Sequence, residues 1–296
     1  MRREYESMKP IPVGLVGAGP WAASVHAPML AAGPETRLAA VWARRPEAAR
    51  NLAALHGAEP VETWEALLDR CDAVAFAVPP DVQARLAMIA ARAGKHLLLE
   101  KPLALTLADA RAVAAAVAET GVVTQLMLSY RFREHTIEFL AAARDLDPVG
   151  AYAEFLTGGY LAGPFATPWR REHGALLDLG PHVLDLLDAA LGPIEHLTAR
   201  GDPRRWIALT CSHAGGAISQ AALSGTLEVP ETIWRCVVRG RKGVRTFDPN
   251  HDDRAPDWGA VRRAFAAGVH SGRAPELGVE RGLRIQEWID EASRPA

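Results

Sequence analysis

The sequence predicts an α/β fold whose first half is a doubly wound parallel sheet. Short apolar segments alternate there with segments of helical periodicity, and this alternation implies right-handed crossovers between parallel strands. The second half contains six strand-like segments, several with alternating character and with Gly or Pro at their ends. A chain of 296 residues is long enough for two domains.

The alternation can be followed along the chain. IPVGLV is a buried strand that leads into glycines, and PWAASVHAPMLAAG has helical spacing, with Pro20 at a permitted first position and Gly33 as a stop. The strands and helices that follow are, in order, TRLAAVWA, PEAARNLAALHG, DAVAFAVPP, DVQARLAMIAARAGK, HLLLEKP, TLADARAVAAAVAETG and VVTQLML. Sheets of this type bind ligands at the carboxyl ends of their strands.

The turn after the first strand has the pattern G-x-G-x-x-A, which is typical of dinucleotide binding. Gly17 permits the tight turn, Gly19 lets the backbone approach a pyrophosphate, and Ala22 lets the helix pack closely on the sheet. The N–H groups of the helix N-terminus then face the phosphates. We expect cofactor contacts from Gly17, Gly19, Pro20, Trp21 and Ala22.

The end of the second strand predicts which dinucleotide is bound. An NAD site carries an acidic residue there for the ribose hydroxyls, whereas this chain has Arg44 and Arg45. A guanidinium can donate two parallel hydrogen bonds to a phosphate. The pattern therefore favours NADP(H) over NAD(H); the alternative is that both arginines belong to a solvated helix start.

Composition excludes several other classes of function. The net charge of -2, without a basic run, argues against nucleic acid, and no apolar run has the length of a membrane span. The three cysteines fit neither a metal site nor a disulfide framework. Because the charged N-terminus also lacks the apolar core of a secretory signal, we expect a cytoplasmic protein.

Four further segments resemble the glucose-fructose oxidoreductase / inositol dehydrogenase / MocA family. AGKHLLLEKPLALT contains Glu100-Lys101-Pro102, which resembles the E-K-P signature of the family. GALLDLGPHVLDLL resembles its D-x-G-x-H-x-x-D segment, YRF its crossing into a second domain, and ERGLRIQEWIDEA its closing helix. The resemblance spans nearly the whole chain.

The resemblance implies a Rossmann domain over residues 1–127 and a C-terminal α/β domain over residues 128–296. The second domain of the family has an open, mostly antiparallel sheet, with which the six strand-like segments are compatible. We expect two helices to complete it, near residues 174–191 and 280–292. The exposed face of the sheet often supports oligomers in this family, so a homo-oligomer is expected.

The resemblance also implies the catalytic residues. Hydride transfer from an alcohol requires removal of the hydroxyl proton, for which histidine is suited, and a lysine ammonium can stabilise charge on the oxygen. By motif position these residues are His182 and Lys101, while Asp178 would contact the substrate or orient the pair. The alternatives are a hydrogen-bonded core histidine and a surface lysine.

Further cofactor contacts follow from topology and resemblance. Val78 and Pro79 end the third long strand and should lie beside the nicotinamide ribose. Glu100 and Lys101 are expected in the same region, and Trp169 is either a cofactor contact or a packing aromatic. Gln83 departs from the histidine often found there in relatives, and Glu172-His173-Gly174 departs from the triple glycine of the family.

These observations predict an NADP(H)-preferring oxidoreductase that acts on a secondary alcohol or ketone of a sugar, cyclitol or similar polar substrate. No metal, nucleic acid or membrane partner is expected. Two alternatives stay open: a sensor that binds NADP without turnover, and an enzyme that uses transient oxidation for elimination or hydrolysis.

Overall fold

A computed structural model describes residues 9–251 and 256–294, which form two compact units. The first unit contains the described residues up to Met127 together with Trp258–Leu283, and the second contains the described part of Leu128–Asp257 and the residues from Arg284 onward. The expectation that the charged N-terminus carries no secretory signal concerns the first eight residues, which lie outside the described part of the chain.

The first unit is built on a six-stranded sheet in the order β3-β2-β1-β4-β5-β6. All neighbouring strands are parallel. The strands are β1 Ile11–Val16, β2 Thr36–Trp42, β3 Glu59–Pro60, β4 Ala73–Phe76, β5 His96–Leu99 and β6 Thr124–Leu126. Every residue of β4 is buried, as in a sheet covered on both faces. The predicted doubly wound sheet is confirmed; only the short edge strand β3 was not expected.

The helices of the first unit begin and end at the signals that the sequence carries. They are a π-helical turn at Ala22–His26 continued by α1 Ala27–Ala31, then α2 Pro46–Leu55, α3 Trp64–Leu68, α4 Pro80–Arg92 and α5 Leu107–Thr120. The Thr106 hydroxyl accepts a hydrogen bond from Asp109 N at 3.1 Å and so caps α5. Gly121 ends the same helix with φ of 69°, a left-handed conformation that favours glycine.

A late segment of the chain returns to the first unit. This segment contains α9 Trp258–Ser271 and the start of α10 Val279–Ala292. The expectation assigned residues 128–296 to one C-terminal domain, whereas this segment belongs to the first unit. Arg262 Nε lies 3.0 Å from Glu35 Oε2, in a largely buried ion pair, and these contacts belong to the first unit.

The second unit contains the other six-stranded sheet, in the order β12-β11-β7-β10-β9-β8. Only β7 and β10 pair in parallel, and all other neighbours are antiparallel. The strands are β7 Pro148–Leu156, β8 Ile194–Asp202, β9 Trp206–His213, β10 Ile218–Ser224, β11 Ile233–Gly240 and β12 Gly243–Phe247. The expected mostly antiparallel sheet is confirmed, and each of its strands falls on a predicted segment.

The helices of the second half exceed the two that the sequence predicted. Besides α10, they are α6 Glu134–Arg144, α7 Pro168–Asp178, α8 Gly180–Leu191 and the returning α9. The buried positions of α6 have helical spacing but include the polar Thr136, which weakens the apolar pattern. Within the described ranges, no helix combines the length and the apolar character that crossing a membrane requires.

One break lies at the start of the helix expected near residues 174–191, and a second break divides that helix. Gly174 has φ of 76°, and a Cβ built on it would lie 2.1 Å from the Pro203 carbonyl oxygen, so no larger residue fits without movement. Pro181 has no N–H to continue the helical ladder, and His182 N instead donates to Leu179 O at 3.1 Å. Asp178 therefore ends α7, and His182 lies in the first turn of α8.

Candidate active site

A cavity of about 550 Å³ in the first unit is lined by the residues that follow β1, β2 and β4. Strand order reverses between β1 and β4, which is the switch point where open α/β sheets bind ligands. Six of the predicted cofactor residues line it: Gly17, Gly19, Arg44, Arg45, Val78 and Pro79. Pro20, Trp21, Ala22, Glu100 and Lys101 are in the same unit but are not among the lining residues.

The two glycines of the turn have different surroundings. Gly17 has φ of 110°, and a Cβ there would lie 2.4 Å from the Ala77 carbonyl oxygen, so the turn after β1 requires glycine. A Cβ on Gly19 would have no heavy atom of the protein within 4 Å. Close packing within the chain therefore does not explain Gly19. An open backbone position at this turn fits the approach of a pyrophosphate, so the residues present fit a dinucleotide.

Three guanidinium groups belong to the lining of this cavity. Arg44 and Arg45 follow β2 as predicted, and Arg85 on α4 joins them. All three side chains are exposed. Arg85 was missed by the sequence interpretation, although it lies three residues after Val82, which lines the cavity from the same helix face. The cavity thus carries a concentration of positive charge suited to a phosphate group.

The Glu100 carboxylate is buried and accepts hydrogen bonds from both ends of the π-helical turn. Trp21 Nε1 donates to Glu100 Oε1 at 2.6 Å, and His26 Nε2 lies 2.7 Å from the same oxygen. The second oxygen, Oε2, accepts from the backbone N–H of Lys101 at 3.2 Å. The carboxylate therefore binds protein groups on both of its oxygens.

The π-helical turn makes this arrangement possible. Residues five apart on an α-helix point about 140° away from each other. Here Ala27 N donates to Ala22 O, the five-residue spacing that defines a π-helix. Trp21 and His26 therefore reach one carboxylate oxygen. His26 is fully buried and was not recognised in the sequence, because an α-helical reading puts it on a different face.

In the second unit, Asp178 is held by a tyrosine and an arginine. Asp178 Oδ2 accepts from the Tyr160 hydroxyl at 2.8 Å and from Arg170 Nε at 2.8 Å. Burial, together with the negative charge of Asp178, raises the pKa of the Tyr160 hydroxyl far above its ordinary value, so this group stays protonated and donates. The Asp178 carboxylate is only 4% exposed, and Arg170 supplies its counter-charge.

Trp169 lies at the start of α7, beside Arg170. The Arg170 Cζ atom is 4.4 Å from the centre of the Trp169 ring, in a cation–π arrangement. Both side chains are partly buried in the second unit. This contact gives Trp169 a packing role, and its contact with a cofactor stays a prediction.

Two aromatic rings enclose the imidazole of His182. The Tyr130 ring packs edge-on at 5.0 Å between centres, and the Phe155 ring lies at 6.4 Å. His182 is 8% exposed. Burial raises the pKa of the Tyr130 hydroxyl, so the ring next to His182 stays neutral. Both rings that pack against the histidine come from outside its own helix.

Asp185, one turn further along α8, forms an ion pair with Arg131 of the YRF segment. Arg131 Nη1 lies 3.1 Å from both carboxylate oxygens, and both side chains are largely buried. Tyr130 and Arg131 thus contact α8 at two neighbouring points. This short segment at the start of the second unit orients the helix that carries His182.

Comparisons with known proteins agree with this architecture. A family model described as "Oxidoreductase family, NAD-binding Rossmann fold" (GFO_IDH_MocA) matches residues 11–128. A dTDP-3,4-didehydro-2,6-dideoxy-alpha-D-glucose 3-reductase from Streptomyces violaceoruber is 32% identical over 96% of this chain and 81% of its own length. The chain belongs to the Gfo/Idh/MocA oxidoreductase family.

Other proteins similar to this chain are named with different cofactors and substrates. GenD2 from gentamicin A biosynthesis, solved with NAD, has a TM-score of 0.84 and 26% identity, covering 96% of this chain and 93% of that one. KijD10, a 3-ketoreductase from Actinomadura kijaniata solved with TDP-benzene and NADP, has a TM-score of 0.78 and 25% identity, covering 96% of both chains. An inositol 2-dehydrogenase from Rhizobium meliloti is 31% identical over 60% of this chain and 54% of its own length.

Family membership makes the chain an NAD(P)-binding oxidoreductase, as predicted. The relatives act on hydroxyl or keto groups of sugars and cyclitols, and they include both NAD and NADP complexes. The predicted residues divide between the units: Glu100 and Lys101 are in the first, and Asp178, His182 and Trp169 are in the second.

Proposed function

We propose that this chain transfers a hydride between NADP(H) and a secondary alcohol or ketone of a sugar, a cyclitol or a similar polar substrate. The observation that carries the proposal is the arginine-lined cavity at the β1/β4 switch point, with Gly19 open toward ligand. The names of its relatives as sugar reductases and dehydrogenases support the substrate class. A cytoplasmic location stays a prediction from the cysteine spacing.

In this proposal the cofactor is held by the first unit. Gly17 and Gly19 leave room for the pyrophosphate, and Val78 and Pro79 line the cavity after β4. Arg44 and Arg45 bind the 2′-phosphate through charge-assisted hydrogen bonds. Bound NADP(H) supplies or accepts the hydride.

The proton chemistry is assigned to His182, with Lys101 and Asp178 in supporting roles. His182 takes the hydroxyl proton in oxidation and returns it in reduction, since imidazole titrates near neutral pH. The Lys101 ammonium stabilises negative charge that develops on the reacting oxygen. Asp178, which pairs with Arg170 and accepts a hydrogen bond from Tyr160, binds a substrate hydroxyl or orients the pair.

Turnover of a panel of sugars tests this function. The panel contains myo-inositol, levoglucosan, D-galactose, 1,5-anhydro-D-fructose and a dTDP-linked 3-keto sugar, each assayed for NADPH formation or consumption. Hydride transfer with at least one member is expected. Tight NADPH binding without turnover of any member would favour the sensor alternative. Product formation without net change in NADPH would favour transient oxidation followed by elimination or hydrolysis.

Reversing the charge of Arg44 should change the cofactor preference. Loss of a charge-assisted hydrogen bond to phosphate costs about 1.5–3 kcal/mol, so Arg44→Asp is expected to weaken NADPH binding about 10–100-fold. NADH binding should change little, because NADH has no 2′-phosphate. Both dissociation constants can be measured by cofactor fluorescence.

The matched control for that experiment is Arg50→Asp. Arg50 is an exposed arginine on α2 that is not among the residues lining the cavity. The same charge reversal there should leave the ratio of the two dissociation constants almost unchanged. An unchanged ratio in Arg44→Asp as well would exclude Arg44 from a 2′-phosphate site.

We also propose a homo-oligomer that forms through the exposed face of the second sheet. Large apolar side chains of four neighbouring strands are exposed on it: Tyr152, Trp206, Ile218 and Ile233. Ile218→Lys places a charge on this face and should lower the solution mass toward the 31.8 kDa of one chain. Leu55→Lys, at an exposed position of α2, is the control. Light scattering that finds the unmodified protein monomeric would contradict the proposal.

A further inference from the structure

The side-chain amide of Gln83 forms hydrogen bonds with the backbone of the E-K-P loop, residues 100–106. It lies on α4 and is fully buried. Its Nε2 atom donates toward three backbone carbonyl oxygens, those of Glu100 at 2.7 Å, Leu103 at 3.1 Å and Pro102 at 3.2 Å. Its Oε1 atom accepts from Glu100 N at 2.8 Å. One side-chain amide thus contacts the backbone of three residues of a single loop, with two N–H groups shared among three carbonyl oxygens.

The loop needs such a partner, because it follows the end of the sheet. Residues 100–106 have no helical or strand structure, so no ladder satisfies their backbone groups. Pro102, Leu103 and Ala104 are nevertheless buried. A buried carbonyl without a donor is unfavourable, because it has given up its hydrogen bonds to water. The Gln83 amide supplies two N–H bonds where these carbonyls converge.

The hydrogen bonds to Glu100 are reciprocal. The amide donates to the Glu100 carbonyl and accepts from the Glu100 N–H, as the next strand of a sheet would do beyond the end of β5. The Glu100 side chain is held as well, by Trp21, His26 and the backbone N–H of Lys101. The residue before Lys101 is therefore fixed at its backbone and at its side chain.

We propose that Gln83 is a positioning residue that sets the backbone of Lys101, and with it the place of the Lys101 ammonium at the reacting oxygen. This inference rests on the proposed role of Lys101. Gln83 does not touch substrate or cofactor; it acts through the loop. A displacement of a reacting group by about 1 Å can lower the rate about 10²-fold. The rate of hydride transfer should therefore depend strongly on the hydrogen bonds that this amide forms with the loop.

Gln83→Met tests the proposal, because methionine has a similar length but neither donates nor accepts these bonds. Single-turnover hydride transfer to the best sugar of the panel is measured per bound NADPH, so that partial unfolding does not lower the rate constant. A loss of about 10²-fold is expected. The dissociation constant of NADPH should stay within about threefold, since Gln83 is not part of the cavity lining.

Gln125→Met is the matched control. Gln125 is also fully buried in the first unit, and its Nε2 donates to a backbone carbonyl, Val261 O, at 3.1 Å. The control should lose thermal stability to a similar degree but keep its hydride-transfer rate constant within about threefold. Equal rate constants in Gln83→Met and Gln125→Met would overturn the inference.

Hydrogen exchange of the unmodified protein tests the contact between Gln83 and the loop even if Gln83→Met does not fold. The Glu100 amide should be protected to the degree of the amides in β5, because it donates to Gln83. Exchange at the rate of an unprotected amide would overturn the inference. Failure of the proposed function gives a different result: Lys101→Met then retains the full hydride-transfer rate, independently of the result for Gln83→Met.

Discussion

Replacing His182 with alanine is expected to lower kcat by about 10²–10⁴-fold, the range that a general acid–base group contributes. The variant lacks the group that exchanges the hydroxyl proton, so the chemical step is slowed. NADPH binding should stay within about threefold, because the cofactor cavity is built from residues of the first unit. Steady-state kinetics with the best sugar of the panel, together with NADPH titration, measures both quantities.

The control for this experiment is another buried histidine of the same unit. His213 is 2% exposed, and its ring nitrogens lie 2.7 Å from Gly192 O and 2.8 Å from Ser219 Oγ. His213→Ala should lower the melting temperature while kcat of the folded fraction is kept. If His182→Ala behaved in the same way, His182 would be a core histidine held by Tyr130 and Phe155, and the proposed acid–base role would be wrong.

The second large effect is expected for Lys101→Met, which keeps the length of the side chain and removes its charge. Loss of one preorganised electrostatic donor typically costs about 10²–10³-fold in kcat. The loss should fall on kcat more than on KM, because the oxygen acquires its charge only in the transition state. Steady-state kinetics in both directions of the reaction measures this division.

Lys95→Met is the control for the lysine, since Lys95 belongs to the same unit and its Nζ donates to Cys71 O at 2.8 Å. The double variant Lys101→Met, His182→Ala gives a sharper test. If both groups act in one proton transfer, the kcat of the double variant should be only a little lower than that of the less active single variant. Fully multiplicative losses would show that the two residues act independently.

The first sheet could be predicted from local patterns alone. Apolar runs of four to seven residues, each followed by glycine, proline or a charged turn, give β1, β2 and β4 and the loops that line the cavity. Arg44 and Arg45 line the cavity because they follow the end of β2, and their contact with a cofactor stays a prediction. Local pattern is sufficient where a residue acts at the end of its own strand.

The contacts that the sequence did not reveal join residues far apart in the chain. The Glu100–His26 contact depends on a π-helical turn, and α-helical periodicity cannot predict it. Gln83 was noted only as a departure from histidine, and its hydrogen bonds to the E-K-P loop need the packing of α4 on that loop. Tyr160 reaches Asp178 across 18 residues, and neither motif nor spacing indicates that tyrosine.

The return of Trp258–Leu283 to the first unit determines when this unit can complete its folding during synthesis. The Val279 N–H donates to the Thr124 hydroxyl at 2.8 Å, and Arg262 pairs with Glu35. These bonds cannot form until the ribosome has translated more than 250 residues. The first unit therefore cannot complete its folding until the intervening residues have been synthesised. A fragment that stops at Met127 would expose surfaces that the late segment normally covers.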